Sequence, residues 1–215
     1  MIRLEIAFLL FDGITALDVI GPYEVLNRLP GAEVRFVASK AGSLRADNPA
    51  LGLVADHALG DVPSPEIVLV PGGPGTRDLL EDEGLLEWLR AVHRSSRWTT
   101  SVCTGALVLG AAGILEGLRA TTHWRALDQL AGYGAKPTRE RIVEEGKVIT
   151  AAGVSAGIDM ALRLAQRESG DLLAQALQLI IEYDPQPPFD AGSAARAPEE
   201  VIALATELLQ SASGS

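Results

Sequence analysis

Residues 4–11, LEIAFLLF, form a nearly continuous apolar run close to the start of the chain. A run of this kind suits a strand that is covered on both faces within a parallel sheet, and Ile67–Val70 has the same character. Between and after these strands lie segments with helical periodicity: 23–29, 79–93 and 104–112. Strands that alternate with helices predict a wound α/β fold with a mostly parallel central sheet.

The remaining segments extend this pattern to the end of the chain. Val34–Ala38 is predicted to be a further strand, and 141–144 with 147–150 a charged edge hairpin. The last third predicts helices over 155–166, 172–182 and 198–209, with a proline-rich extended arm, YDPQPPFDAGSAARA, before the last helix. We therefore expect a single domain over 1–215, with residues 210–215 as a disordered tail.

The composition limits the possible partners. Of 215 residues, 47% are hydrophobic and 21% charged, and 18 basic against 28 acidic side chains give a net charge of −10. The absence of a basic cluster disfavours nucleic acid and anionic membranes as partners, and a small neutral or weakly polar ligand fits better. No apolar run approaches the roughly 20 residues of a membrane span. With no export signal and one cysteine, we expect a cytoplasmic location.

Cys103 is the only cysteine, so it cannot form an internal disulfide. It lies where a predicted strand, Trp98–Val102, meets a predicted helix. Helix amides near the sulfur can lower a thiol pKa from about 8.5 to roughly 3.5–7.5, which would make Cys103 a nucleophile at neutral pH. The alternative is a buried cysteine that acts as a small hydrophobic residue. The spacing alone leaves both interpretations open.

Two other loops follow strands of the same sheet. Pro71–Gly75, PGGPG, allows a close backbone approach, although it is also typical of a simple tight turn, and no phosphate-binding motif is present. Asp18 precedes Pro22, which predicts the first turn of a helix, so Asp18 is a candidate acid or a helix N-cap. Because the carboxyl ends of parallel strands form one crevice, these loops and Cys103 are expected to meet there.

Five stretches carry a resemblance to a known family over essentially the whole chain. They are FLLFDGITALDVIGPYEVL, VPGGPGT, TSVCTGALVLGAAGILEGLRATTHW, TAAGVSAGIDMAL and EYDPQPPFDAG. Together they resemble the ThiJ/PfpI superfamily, a branch of the class I glutamine amidotransferase-like fold, and within it most closely the isocyanide hydratases. The resemblance implies a flavodoxin-like sandwich, usually a homodimer, with a nucleophilic cysteine in a strained turn called a nucleophile elbow.

The resemblance also implies roles for individual residues. Cys103 would be the nucleophile, and Asp18 the adjacent acid, where many relatives have glutamate. The remaining candidates would line the pocket for developing negative charge or the substrate: the amides of Gly73 and Thr104, the turn residue Gly72, the backbone N–H of Val154, and His123 with Trp124. The reaction would proceed through a thioimidate to an N-substituted formamide, without a cofactor, and no metal-ligand spacing is present.

The histidines bear on the alternatives. Intracellular proteases of the superfamily carry histidine directly after the cysteine, where this chain has Thr104, so peptidase activity is disfavoured. We expect His93 on a solvated helix face, His57 in an exposed strand or loop, and His123 in a structural hydrogen bond.

Two other functional classes share these phrases. A glyoxalase-like enzyme or a redox sensor would use the same thiol, although aspartate in place of glutamate favours the hydratase. AraC-type regulators have a similar sensor domain followed by a DNA-binding part. Because this chain ends soon after Leu209, a free-standing regulator is disfavoured.

Overall fold

The computed structural model describes residues 3–212, which divide into two compact units, one up to Ile181 and one from Glu182 onwards. The strands are, in chain order, β1 (Leu4–Leu9), β2 (Ala32–Ala38), β3 (Gly42–Arg45), β4 (Gly52–Ala55), β5 (His57–Ala58), β6 (Ile67–Val70), β7 (Trp98–Val102), β8 (Arg119–Ala120), β9 (Lys136–Pro137), β10 (Ile142–Glu145) and β11 (Val148–Ala151). The α-helices are α1 (Leu17–Leu26), α2 (Thr76–Leu79), α3 (Glu83–Ser95), α4 (Gly105–Ala111), α5 (Ala156–Ser169), α6 (Asp171–Ile180) and α7 (Glu199–Ala212). Residues 59–61 and 124–133 form 3₁₀ segments.

The first unit is built on a seven-stranded sheet in the order β10-β11-β7-β6-β1-β2-β5. All its pairings are parallel except β10 with β11, the predicted edge hairpin. The predicted α/β class is therefore confirmed. The neighbours β11, β7, β6 and β1 lie side by side in the middle of the sheet and run parallel. Their carboxyl ends consequently open on the same edge.

Helices cover both faces of this sheet, as residues on the two faces of β7 show. Thr99 hydrogen bonds to His93 of α3, whereas Val102, which points to the opposite face, packs at Gly157 of α5. A Cβ on Gly157 would lie 3.1 Å from both Pro22 and Val102, so α1 and α5 approach each other closely. Strands β1 and β6 are buried on both faces, as predicted from their continuous apolar character.

The start of α1 differs from the prediction. The sequence predicted that the helix begins after Pro22, but it begins at Leu17 and has Pro22 in its interior. Backbone N–H groups of Asp18, Val19 and Ile20 donate to the carbonyls of residues 15 and 16, which completes a first turn ahead of the proline. Local hydrogen bonds and packing against α5 thus outweigh the helix-breaking tendency of Pro22.

The second unit contains the proline-rich arm and α7. The helix extends to Ala212, so residues 210–212 are helical and the expectation of a disordered tail was wrong for them; 213–215 lie outside the described residues. The single domain predicted over 1–215 stays a prediction. Within residues 3–212, no helix is long and apolar enough to cross a membrane.

Candidate active site

Cys103 occupies a strained turn directly after β7. Its φ of 56° lies in the left-handed region, which costs a non-glycine residue about 1–2 kcal/mol. The backbone on both sides is held: its N–H donates to the carbonyls of Ala151 and Ala152 at 3.2 and 3.0 Å, and its carbonyl accepts from Thr122 Oγ1 at 2.6 Å. The residue is 5% exposed. The fold therefore fixes the direction of a nearly buried thiol.

Asp18 is fully buried in the first turn of α1, the helix that follows β1. Its Oδ2 accepts the Gly72 N–H at 2.8 Å, and its Oδ1 has no partner in regular hydrogen-bond geometry. The N-cap of α1 is Ala16, with no side-chain cap, so the alternative role of Asp18 as N-cap is wrong. The carboxyl bonds across the crevice rather than to its own helix.

The pKa values of Asp18 and Cys103 are coupled. Burial raises the pKa of Asp18 to about 7, although the Gly72 N–H and the Cys103 thiol both lower it. Burial, followed by the charge of Asp18, raises the pKa of Cys103 to about 12, while the amides of Thr104 and Val154 and the Thr104 hydroxyl lower it. The amide donors, which the sequence indicated could lower the thiol pKa, are outweighed here by desolvation and the carboxylate.

These two pKa values define the protonation of the pair. Between about 7 and about 12 the two groups together hold one proton, and an ionised carboxylate opposes loss of the second. The backbone amides favour charge on the sulfur, and the buried position favours a neutral carboxyl. The pair can therefore pass a proton between oxygen and sulfur without taking up charge from solvent.

Gly72 lets the loop after β6 lie directly against the cysteine turn. A Cβ at this position would lie 2.5 Å from the Thr104 nitrogen and 2.8 Å from Cys103 Cβ, distances that real side chains do not adopt. The absence of a side chain thus allows the Gly72 N–H to reach Asp18 while its Cα touches the nucleophile turn. The close approach predicted for the PGGPG loop is present here.

Gly73 and Thr104 are arranged differently from the predicted anion pocket. The Gly73 N–H donates to Thr104 Oγ1 at 2.9 Å, so this amide already has a partner. The Thr104 hydroxyl also lies 3.2 Å from the Thr76 hydroxyl and 3.3 Å from the Gly73 carbonyl. The Thr104 N–H and hydroxyl both lower the pKa of the Cys103 thiol. Gly73 orients that hydroxyl through its own N–H.

Val154 is next to the Cys103 sulfur, and His123 packs against the residue that precedes Val154. Val154 has a φ of 38°, a second non-glycine residue in the left-handed region, and its N–H is a donor to the Cys103 sulfur. The His123 ring packs on Gly153, where a Cβ would lie 2.8 Å from His123 Cδ2, and its Nδ1 accepts the Arg125 N–H at 3.4 Å. Burial, with the charge of Arg125, lowers the pKa of His123, so the ring is neutral at pH 7.

Trp124 lies beside His123, and the other two histidines lie elsewhere on the sheet. Trp124 is 38% exposed, and its ring centroid is 5.6 Å from that of His123. His93 was expected on a solvated face, but it is half-buried and bonds to Thr99 Oγ1 at 2.9 Å. Thr99 is at the start of β7, so this bond lies at the amino ends of the strands, away from Cys103 at the carboxyl end of β7. His57 is half-buried in β5, at the sheet edge far from β7.

Sequence reasoning missed Thr122 and Thr76. Both are buried, and both use the hydroxyl to bond to a backbone carbonyl of the site, Thr122 to Cys103 and Thr76 to Gly73 at 2.7 Å. Thr122 lies within the ATTHW phrase, in which the family resemblance implied roles only for His123 and Trp124. A threonine hydroxyl has no sequence signature of its partner, so only the folded structure reveals these bonds.

Comparisons with known proteins agree with this architecture. A model of the DJ-1/PfpI family matches residues 4–167. The chain is 45% identical over 199 residues to "Isonitrile hydratase" of Pseudomonas putida, covering 93% of this chain and 87% of that protein. It is 30% identical over 156 residues to "Glutathione-independent glyoxalase DJR-1.2" of Caenorhabditis elegans, covering 72% and 82%. A crystal structure of a ThiJ/PfpI family protein from Pseudomonas syringae superimposes with a TM-score of 0.94 at 36% identity, covering all of this chain and 89% of that one.

Proposed function

Because this chain belongs to the DJ-1/PfpI family, we propose that it is an isocyanide hydratase-like enzyme, a hydro-lyase in which Cys103 is the nucleophile and Asp18 the general acid and base. The observation that carries the proposal is the buried Asp18–Cys103 pair, in which burial raises the pKa of both the carboxyl and the thiol. The similarity to an isonitrile hydratase over most of both chains supports the choice of substrate class.

The first step adds the thiol to the isocyanide carbon. Asp18 takes the thiol proton, the sulfur forms a bond to the terminal carbon of R–N≡C, and the same proton passes from Asp18 to that carbon. The product is the thioimidate R–N=CH–S–Cys103. The shared proton of the pair is the one this addition needs, so the step leaves the net charge of the buried site unchanged.

The second step hydrolyses the thioimidate. A water molecule attacks the same carbon, Asp18 accepts one proton from it, and Asp18 passes that proton to the imine nitrogen to give R–NH–CH(OH)–S–Cys103. The carbon–sulfur bond then breaks, which releases R–NH–CHO and returns the proton to the pair. The sum is R–NC + H₂O → R–NH–CHO, without a cofactor or metal.

The surrounding donors have distinct parts in this proposal. The Thr104 and Val154 amides stabilise charge on the sulfur when it attacks and when it leaves. Gly72 holds the Asp18 carboxyl through its N–H, and Gly73 acts through the Thr104 hydroxyl. His123 supports the loop of Val154, and the exposed Trp124 beside it offers an apolar surface for the isocyanide substituent.

A glyoxalase-like activity is the second candidate, supported by the similarity to the glyoxalase of Caenorhabditis elegans. Incubation with an alkyl isocyanide and with methylglyoxal, in separate assays, distinguishes the two. We expect N-alkylformamide to accumulate over many turnovers and methylglyoxal to persist. Consumption of methylglyoxal without formamide production would move the assignment to the glyoxalase.

We also propose that the protein is a cytoplasmic homodimer of a single domain that takes small-molecule substrates. The family resemblance supports the dimer, and the lone Cys103 supports a reducing compartment. Light scattering on the purified protein tests the dimer: a mass of about twice 22.6 kDa is expected, and a monomer mass contradicts it.

A further inference from the structure

Thr122 presents a buried hydroxyl to the nucleophile turn from a fixed point of the sheet. The side chain is 2% exposed, and its Oγ1 donates to the Cys103 carbonyl at 2.6 Å. The preceding residue, Thr121, donates its N–H to Thr150 Oγ1 at 2.9 Å, and Thr150 lies on β11, beside β7. The hydroxyl is therefore held by the strand that neighbours the strand of the nucleophile.

The Cys103 carbonyl depends on this hydroxyl for its direction. The helical N–H that also reaches this carbonyl, from Ala106, is 3.4 Å away, so the hydroxyl at 2.6 Å is the shorter bond by a wide margin. A residue at φ 56° is strained, and its backbone keeps that conformation only where surrounding groups hold it. Thr122 is one of those groups, and it acts on the carbonyl side of the turn.

The carbonyl and the next N–H belong to one rigid unit. The peptide between Cys103 and Thr104 is planar and trans, so its C=O and N–H point in opposite directions. A hydroxyl that fixes the Cys103 carbonyl therefore also fixes the Thr104 N–H. That N–H is one of the donors to the Cys103 sulfur.

We propose that Thr122 is a positioning residue that holds the Cys103–Thr104 peptide so that the Thr104 N–H faces the Cys103 sulfur. The inference rests on the proposed function for the role of Cys103 as nucleophile. The proposal gives Thr122 a part in the reactivity of Cys103, although Thr122 itself does not touch the substrate. Loss of the hydroxyl lets the peptide rotate and weakens the support for charge on sulfur.

The test measures the alkylation rate of Cys103 by iodoacetamide as a function of pH, in wild type, Thr122→Val and Thr122→Ser. We expect T122V to react on the order of tenfold more slowly at pH 7.5, with its rate profile moved to higher pH. When the Thr104 N–H no longer points at the sulfur, its hydrogen bond to the charged thiolate is weakened, and the loss of such a bond corresponds to about tenfold in rate. Serine keeps the hydroxyl, so T122S should stay within about twofold of wild type.

Thr100→Val is the matched control. Thr100 is also a buried threonine, and its hydroxyl donates to the Val68 carbonyl at 3.0 Å, but it lies on β7 away from the Cys103 carbonyl. T100V should lose melting temperature as T122V does while it keeps the wild-type alkylation profile. Should T122V fail to fold, T122A and T122S are compared in the same way.

Two results would overturn the proposal: a wild-type alkylation profile in T122V, or equal slowing in T122S and T122V, which would indicate a role for side-chain size alone. Alkylation uses no isocyanide, so this outcome is independent of the hydratase assignment. A wild type that makes no formamide, together with a T122V that alkylates slowly, would reject the hydratase and retain the positioning role.

Discussion

The Gly72 backbone N–H donates to Asp18 Oδ2 over 2.8 Å, inside the protein, and this bond joins the loop after β6 to the first turn of α1. Through it, an acid that is 85 residues before Cys103 in the chain is held beside the thiol. The bond is possible because Gly72 has no side chain to separate its loop from the nucleophile turn. The catalytic proposal depends on this arrangement.

The pH dependence of turnover follows from the shared proton. Below the raised Asp18 pKa of about 7 the carboxyl is protonated and cannot accept the thiol proton, so kcat/KM for an isocyanide should rise with pH and level off above about 7. Asp18→Asn should lower kcat/KM by about 10²–10⁴-fold and remove this rise. A D18N enzyme with the wild-type profile would show that another group carries the proton.

The same carboxyl should make the protein less stable at neutral pH. The pKa of Asp18 is about 7 in the folded state and 3.8 in the unfolded reference, so the folded state binds the proton more tightly. The stabilisation this gives is complete below about pH 3.8 and is lost as the pH rises through about 7. Asn at this position stays neutral.

We therefore expect Asp18→Asn to raise the melting temperature at pH 8, by on the order of 5 °C, with the gain shrinking as the pH falls towards 4. The exposed Asp128→Asn is the control, since it removes one negative charge at the surface. Calorimetry at several pH values measures the difference. An equal gain in D128N, or a gain that does not change with pH, would contradict the assignment of a buried, raised Asp18.

Gly72→Ala should abolish turnover by steric conflict. The added Cβ would lie 2.5 Å from the Thr104 nitrogen, so the loop and the cysteine turn must separate, which breaks the bond between Gly72 and Asp18. We expect at least a 10²-fold loss of kcat/KM. Gly60→Ala is the control because nothing lies within 4 Å of its Cβ position, and its rate should match wild type. Full activity in G72A would contradict the close packing.

Val154 acts through its backbone N–H, so its side chain should be replaceable. Val154→Ala keeps the donor to the sulfur, and we expect isocyanide turnover and iodoacetamide alkylation within about threefold of wild type. Val154→Pro removes the N–H and cannot adopt a φ of 38°, so it should lose both activities. A large loss in V154A would transfer the role from the amide to the isopropyl group.

The sequence predicted the parts of the fold that periodicity determines. The strands Ile67–Val70 and Trp98–Val102 begin and end where they were predicted, because both are apolar or β-branched runs between clear turns. The start of α1 was predicted wrongly because long-range packing around Pro22 overrides its local preference. A local sequence pattern predicts local structure, whereas the residue at which a packed helix such as α1 begins also depends on its contacts with distant parts of the chain.

The site was predictable at the level of loops and not at the level of bonds. Placement of Asp18, Gly72 and Cys103 after parallel strands was sufficient to predict that they meet. The direction of the Cys103 pKa shift could not be decided from the sequence, because burial and a neighbouring carboxylate are properties of the folded structure. The pairing of the Gly73 N–H with Thr104 and the bond from Thr122 have no counterpart in spacing or composition.

The most direct test of Cys103 as the nucleophile compares formamide formation from one alkyl isocyanide by wild type and by Cys103→Ala, at pH 8 and equal protein concentration. We expect many turnovers by wild type and a rate at least 10³-fold lower in C103A, since covalent attack by the sulfur is required. Formamide production by C103A at a rate near wild type would contradict the thioimidate, and none by wild type would contradict the hydratase itself.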